Sequence, residues 1–372
     1  MVKEKTITIV ACYFGPKLGV GVFMEKLLNV LLPILKENNY KVNLIANQNV
    51  LANSPSLVVD GINIITPKEL DKSGSSKIYF LTKFAKTKFV TEAKYVFFLA
   101  DSVIGSGIKN AISIVHDINE FDITNKFGRT RTWFRKQMIK RVIARSKKII
   151  VISNFVLNQI HKYFPDTKTD SRLSVIHNGI DVKYAITENE LQERQTEPYF
   201  MIVGRVDPLG KKLYEALKIY KTYKKFHPEI KLKIVGGMND FCRKDGTDFI
   251  NFATANDADV EYLGYVDEDK LNELYGNALA TIFYSQFEGF GFPILEAFLR
   301  GCPVISNADN EVNDELAQGY DIKIKESDIE NDEVICLKLK QLSEIPKLKL
   351  VSIATQFSWK NTAQKYFNVL ND

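Results

Sequence analysis

Short apolar runs alternate with amphipathic stretches along this chain, and the alternation occurs twice. Thr6–Cys12, Val42–Ala46, Tyr95–Ala100, Ala111–Val115, Lys148–Ile152 and Leu173–Ile176 are rich in β-branched and aromatic residues and bounded by turn formers. Such runs predict buried strands. Phe23–Leu35 and Arg135–Ala144 have helical periodicity, and Pro33 is expected to bend or end the first of them. HNGIDV, His177 to Val182, reads as a turn, because Asn-Gly favours positive backbone dihedrals. The polar segment 187–198 then reads as the start of a second domain after a linker. Beyond it come Tyr199–Val203, Leu232–Val235, Val260–Leu263, Ala280–Tyr284 and Pro303–Ser306, with helical patterns at Lys211–Tyr223 and Asp269–Asn277. Strands alternating with helices imply an α/β fold, each half a doubly wound parallel sheet covered on both faces. Two such halves are expected to face a cleft, with ligands outside the carboxyl ends of the strands.

The length of 372 residues fits two domains. Cys12, Cys242, Cys302 and Cys336 are far apart and form no CxxC pair. A disulfide framework or zinc site is therefore not expected, and a reducing compartment fits. MVKEKTITIV lacks a signal-peptide layout, and no stretch approaches 18 consecutive apolar residues. A cytoplasmic chain is expected. The net charge of +5 is mild and implies no nucleic-acid partner.

The most specific stretch is EGFGFPILEA, which sets Glu288 and Glu296 around Gly289, Phe290, Gly291 and Phe292. Glu288 falls in the loop after a predicted strand. Pro293 suits the first turn of a helix, where no amide hydrogen is needed. The loop amides would lie at that helix's positive end, an anion or polar-ligand site, and the glycines would let a ligand approach the backbone. The two acids would sit at different depths and could hold different parts of an extended ligand. Carboxylates accept hydroxyl hydrogen bonds well, so sugar diols are natural partners. The plainer alternative is that Glu296 complements the helix dipole while Glu288 is solvated.

GRVDPLGKK, Gly204 to Lys212, directly follows the strand Tyr199–Val203. Arg205 can grip a phosphate with its planar fork, and Lys211 supplies a second compact charge; the alternative is a basic surface turn. Together they could neutralise a diphosphate leaving group without a metal. In IVHDIN, His116 and Asp117 fall at the carboxyl end of a strand, where a histidine can donate to a sugar hydroxyl or serve only as a core residue. GPKLGVGVFMEK, Gly15 to Lys26, resembles part of a dinucleotide fingerprint but has Met24 where the third glycine would stand. Gly19 and Gly21 therefore read as a loop facing the cleft, or as a plain tight turn. The stretch 127–148 carries nine Lys or Arg and no acid, with Trp133 and Phe134 interleaved. It suits an anionic membrane surface or a solvated helix face. Asp257-Ala258-Asp259 spells a DxD pair, but at the amino end of a strand, the wrong edge for the cleft. No metal is expected. Ser153 lacks a surrounding GxSxG, so a hydrolase elbow is not supported.

Taken in order, GRVDP, LKIVGG, YLGYVDEDKL and EGFGFPILEAFLRGCPVI resemble the retaining glycosyltransferases of family 4, with the GT-B fold. VISNF, VIHNGID and FSWKNTAQKY, 357–366, extend the likeness over nearly the whole chain. The resemblance implies two Rossmann-like domains, an N-terminal acceptor domain at 1–185 and a C-terminal nucleotide-sugar donor domain at 186–356, with a C-terminal helix at 357–372 crossing back onto the first. It implies that Glu288 contacts the donor sugar and Glu296 the nucleotide ribose. Arg205 and Lys211 would bind the diphosphate, with Lys212 as the alternative lysine. His116, with Asp117 beside it, would meet the donor sugar from the first domain, and Gly19 or Gly21 would line the donor–acceptor boundary. Glu311 is similar to an acid near the donor. The implied activity is metal-independent transfer of a hexose, with retention, to a glycan or lipid-linked acceptor in cell-surface polysaccharide or glycolipid assembly. The co-substrate would be a nucleotide-diphosphate sugar, with no cofactor. The protein would be cytoplasmic and able to sit peripherally on the inner membrane face. An epimerase, a phosphorylase or an inactive sugar-nucleotide-binding module on the same fold are the alternatives.

Overall fold

The computed structural model describes residues 5–12, 19–100, 105, 107–122, 128–194, 198–238, 242–255 and 257–371. The chain forms two compact units, Met1–Gly179 with Trp359–Asp372, and Ile180–Ser358.

Among the described residues, the first unit's sheet has seven strands. They are β1 (Lys5–Ala11), β2 (Tyr40–Ala46), β3 (Asn63–Ile65), β4 (Tyr95–Phe98), β5 (Ala111–Val115), β6 (Ser146–Val151) and β7 (Leu173–Val175). Their order is β3-β2-β1-β4-β5-β6-β7 and every pairing is parallel. Every residue of β4 and β5 is buried. YVFF is apolar throughout and AISIV apolar except for Ser113, whose buried hydroxyl pairs with that of Ser146 on β6 at 2.9 Å, as a sheet covered on both faces requires.

The helix Val20–Glu37 buries Phe23, Met24, Leu27, Leu28, Leu31, Leu32 and Leu35, one apolar stripe at helical spacing. It starts earlier than its periodicity predicts and passes through Pro33 without ending there. Pro33 is exposed, while buried Leu31, Leu32 and Leu35 flank it. Packing of the stripe outweighs the roughly 3 kcal/mol that an interior proline costs. The helix Trp359–Asn371 belongs to this unit and buries Trp359, Ala363, Tyr366 and Leu370. The Phe23 ring lies 6.0 Å from Trp359 and 6.4 Å from Tyr366. A Cβ on Gly179 would come within 2.5 Å of the Trp359 backbone, so the turn can approach this helix only as glycine.

The second unit's described strands are β8 (Tyr199–Val203), β9 (Lys231–Val235), β10 (Val260–Gly264), β11 (Ala280–Phe283), β12 (Val304–Asn307) and β13 (Ile322–Ile324). Their order is β10-β9-β8-β11-β12-β13, again all parallel. Phe200, Ile202, Leu232, Ile234 and Ile282 from the strands pack with Leu217, Tyr220 and Phe249 from the helices Leu213–Lys224 and Arg243–Ala255. The polar stretch read as the start of the second domain carries the helix Glu188–Glu193. A reciprocal Thr187–Glu190 capping box holds its start.

Candidate active site

In the second unit the chain builds β8, β9 and β10 outward in one direction, then crosses back to place β11 against β8. Ligands of open α/β sheets bind at such a reversal, outside the carboxyl ends of the strands. A recess is found there. Gly204, Arg205 and Lys211 line it on the β8 side, and Phe283, Tyr284 and Ser285 on the β11 side.

The turn after β8 sets the two cations. Arg205 donates through Nη2 to Oδ2 of Asp207 at 3.2 Å. Asp207 is 4% exposed, and its Oδ1 accepts the Gly210 amide at 3.1 Å. One buried carboxylate thus closes the turn and restrains the guanidinium. The Lys211 amide donates to the Asp207 carbonyl at 2.9 Å. Lys212 then takes a left-handed conformation, φ 47°, and precedes the helix Leu213–Lys224. That twist sends the two lysines apart. Lys211 lines the recess, lies 5.7 Å over the Phe283 ring and donates to Oε1 of Glu288. Lys212 is buried and donates to Glu326 at 2.5 Å. Of the two lysines that the sequence leaves open, Lys211 is the one at the recess.

The EGFGFPILEA loop follows β11. Phe290 is buried and packs edge-on against Phe292, 5.2 Å between ring centres, and 6.3 Å from Phe357. This anchors the loop, so residue 290 offers a ligand its backbone rather than its ring. Gly291 has φ 98° and caps the helix Phe292–Leu299, with Pro293 in the first turn. Glu288 is therefore a loop residue and Glu296 a helix residue one turn in. Its carboxylate accepts a hydrogen bond from the hydroxyl of Tyr275 at 3.0 Å. Burial, together with the Glu296 charge, pushes the Tyr275 hydroxyl well above its ordinary value, so it stays a donor.

Gly204 and Gly236 directly follow β8 and β9, and Gly264 ends β10. A Cβ on Gly236 would lie 1.8 Å from the Gly204 carbonyl oxygen, while open space faces Gly204, Gly237 and Gly264. The strand tips thus present bare backbone.

In the first unit, His116 is buried at the end of β5. Its Nε2–H donates to the Leu99 carbonyl at 2.8 Å, and its ring packs edge-on at 4.7 Å from Phe23. Phe23 in turn donates its amide to the Gly19 carbonyl at 2.9 Å. His116, half-buried Asp117 and Gly19 thus share the carboxyl edge of this sheet. Gly21 is not a loop residue but lies inside the helix that begins at Val20. The helical stripe reaches further back than the glycines suggest. The part of the Gly15–Lys26 stretch before Gly19 lies outside the described residues, as does Phe127. Glu311 is exposed and opens the helix Glu311–Ala317. Its neighbour Asn310 caps that helix and donates to the Ser285 carbonyl at 3.0 Å, tying it to the recess wall.

Asp257 and Asp259 both accept from Lys224, at 2.5 and 2.7 Å. They form an ion-pair cluster at the amino end of β10. Trp133 and Phe134 are 64% and 44% exposed on the helix Arg129–Arg145. No helix among the described residues is long and apolar enough to cross a membrane. Asp207, Tyr275 and Gly236 were not anticipated as site residues. Asp207 stands inside the quoted GRVDP and Gly236 inside LKIVGG, whereas Tyr275 reads as a helix core residue and carries no signal of its own.

A family model described as Glycosyl transferases group 1 matches residues 185–350, and one described as Glycosyltransferase Family 4 matches residues 95–184. The chain belongs to the group 1, family 4 glycosyltransferases. Among curated relatives, the O-antigen chain mannosyltransferase RfbU of Salmonella typhimurium is 28% identical over 53% of this chain and 52% of its own length. O-antigen chain mannosyltransferase B of Escherichia coli is 24% identical over 70% of both chains. A GDP-mannose:cellobiosyl-diphosphopolyprenol alpha-mannosyltransferase of Xanthomonas oryzae is 26% identical over 56% of this chain and 55% of its own. The chain thus spans about half the length of two of these relatives. The fold is that of GT-B proteins. Anabaena HepE, solved with UDP and glucose, superposes with a TM-score of 0.70 at 16% identity over 99% of both chains. WaaG, described as involved in lipopolysaccharide biosynthesis, superposes at 0.68 and 11% identity over 98% of this chain and 99% of its own.

Proposed function

We propose that this chain transfers a hexose from a nucleoside-diphosphate sugar to a glycan or lipid-linked acceptor, with retention and without a metal ion, in polysaccharide or glycolipid assembly. The observation that carries the reading is the meeting of Arg205, Lys211 and Glu288 at the strand reversal of the second unit. As the bond from the anomeric carbon to the diphosphate breaks, negative charge grows on the leaving oxygen. Arg205 and Lys211 would hold that charge more tightly in the transition state than in the ground state, which is what accelerates a reaction. A diphosphate reaching Lys211 competes with Glu288 for it. Glu288, so released, would position the sugar. Glu296 would accept from the ribose, and the departing phosphate would take the acceptor's proton. Gly289, Gly291 and the backbone of Phe290 and Phe292 would border the donor, with Glu311 near it.

Three relatives are named as mannosyltransferases, one of them for GDP-mannose, which makes GDP-mannose the first donor to test. The test incubates the purified chain with GDP-mannose and UDP-glucose, with and without a polyprenyl-diphosphate-linked glycan and with EDTA. Acceptor-dependent transfer that survives EDTA, with the anomeric configuration kept by NMR, is the expected result. Sugar isomerisation without acceptor, phosphate-dependent cleavage, or binding without turnover would each replace the proposal with a different activity.

The helix Arg129–Arg145 supports a peripheral station on an anionic membrane. It presents Trp133 and Phe134 to solvent among cations, the composition of an interfacial helix. Co-sedimentation with phosphatidylglycerol vesicles is expected to fall as salt rises. Absence of binding at low salt would leave this helix a solvated face.

A further inference from the structure

We infer that Tyr275 is a positioning residue that makes this site selective for ribonucleotides, by aiming the Glu296 carboxylate at the ribose diol. The inference rests on the proposed donor reading and deepens it.

Tyr275 is fully buried on the helix Glu268–Asn277, a place where tyrosine ordinarily serves as packing. Its hydroxyl is instead spent on Oε2 of Glu296, at 3.0 Å. A buried aromatic has two side-chain torsions to fix, so it makes a stiff strut. The end of the helix that carries it is fastened from two sides. The Tyr199 hydroxyl donates to the Leu274 carbonyl at 2.6 Å. Arg194 donates to the carbonyls of Tyr275 and Ala278 at 3.4 and 2.9 Å. Tyr199 opens β8, so the strut is referenced to the same strand whose other end carries Gly204 and Arg205.

Glu296 also stands on a rigid element, the helix Phe292–Leu299, whose neighbours Leu295, Ala297 and Phe298 are buried. What the helix does not fix is the rotation of the carboxylate, and the Tyr275 hydroxyl restrains it through Oε2. A carboxylate with one oxygen already engaged keeps acceptor capacity, having about four lone-pair sites in all. A carboxylate held in one plane presents that capacity in one direction. Two vicinal hydroxyls on a ribose match such a restrained acceptor, whereas a deoxyribose leaves it one donor short, and a site built to bond a hydroxyl discriminates against the analogue that lacks it.

The experiment measures affinity by isothermal titration for GDP and 2′-deoxy-GDP, and for UDP and 2′-deoxy-UDP. The proteins are wild type, Tyr275→Phe, Glu296→Gln and the double variant. Wild type is expected to prefer the ribonucleotide by about tenfold, the worth of a hydrogen bond to a charged group. Tyr275→Phe should lose most of that preference, and should add nothing further in the Glu296→Gln background. Circular dichroism and melting establish that each variant is folded. A merely structural tyrosine would weaken ribo- and deoxyribonucleotide alike, and an unchanged ratio in folded Tyr275→Phe overturns the inference while the donor reading stands. Failure of wild type to bind any nucleoside diphosphate overturns the donor reading itself, and this inference with it.

Discussion

Lys211 donates to the Glu288 carboxylate, so the cation that faces the recess and the acid that opens the EGFGFPILEA loop neutralise each other before any ligand arrives. They are 77 residues apart in sequence and come from the loops after β8 and β11. Glu288→Gln removes the carboxylate that competes with a diphosphate for Lys211. It is expected to leave nucleoside-diphosphate affinity unchanged or several-fold tighter, while turnover falls by roughly 100-fold. Lys211→Ala should do the opposite, weakening diphosphate binding by about tenfold. Titration calorimetry and initial-rate kinetics separate the two, and parallel losses in both variants would dissociate the pair from the site.

The Arg205–Asp207 contact predicts a coupled effect on binding and stability. Asp207→Asn keeps the shape but lowers the charge that restrains the guanidinium, and it weakens the acceptor of the Gly210 amide. The donor KM is expected to rise roughly three- to tenfold, with a stability loss of about 1–3 kcal/mol by urea unfolding. Lys212→Ala is the control, since Lys212 pairs with Glu326 and does not line the recess. A larger donor KM change in the control than in Asp207→Asn would reverse the assignment of the two lysines.

These contacts also mark what could be read from the chain alone. Ala111–Val115 and Tyr199–Val203 are strands at the predicted limits, because strands buried on both faces write themselves as nearly continuous apolar runs. Asn63–Ile65 and Ile322–Ile324 were missed; at three residues each, on sheet edges, they are too short to have a period. Pro33 and Gly21 misled in the same way. Local rules mark each as a breaker, and tertiary burial of the Phe23–Leu35 stripe overrides both. The position of Lys211 rather than Lys212 at the recess depends on one left-handed residue, which no composition rule assigns to lysine. Tyr275 is the extreme case. Only the fold reveals that its hydroxyl meets Glu296, and a tyrosine among core residues has no other mark.

The C-terminal helix predicts a long-range stability effect. Tyr366 is fully buried 5.6 Å from the Phe97 ring and 6.4 Å from Phe23, so the last helix completes the core that the first strands begin. Tyr366→Ala empties that site and should cost about 3–5 kcal/mol. Urea unfolding is expected to show a lower midpoint with an unchanged slope. An unaltered midpoint would mean that the helix Trp359–Asn371 does not pack on the first unit.

The cluster at the amino end of β10 predicts a defined acid dependence. Burial alone would raise the Asp257 carboxyl, but hydrogen bonds from Lys224, the Asp259 amide and Tyr220 outweigh it and hold the carboxyl below its ordinary 3.8. In the unfolded chain the same carboxyl titrates near its ordinary value. Above that value both states are ionised, and the cluster contributes its full stabilisation. As pH falls through 3.8 the unfolded chain binds a proton that the folded chain resists, and the contribution is lost progressively until the folded carboxyl is protonated as well. Asp257→Asn carries no such proton. The melting temperature of wild type should therefore exceed that of Asp257→Asn by a constant margin from neutral pH down to about pH 5, and the margin should close below pH 3.8. A margin that persisted at low pH would assign the stabilisation to packing of the Tyr220 and Lys224 side chains instead of to the carboxylate charge.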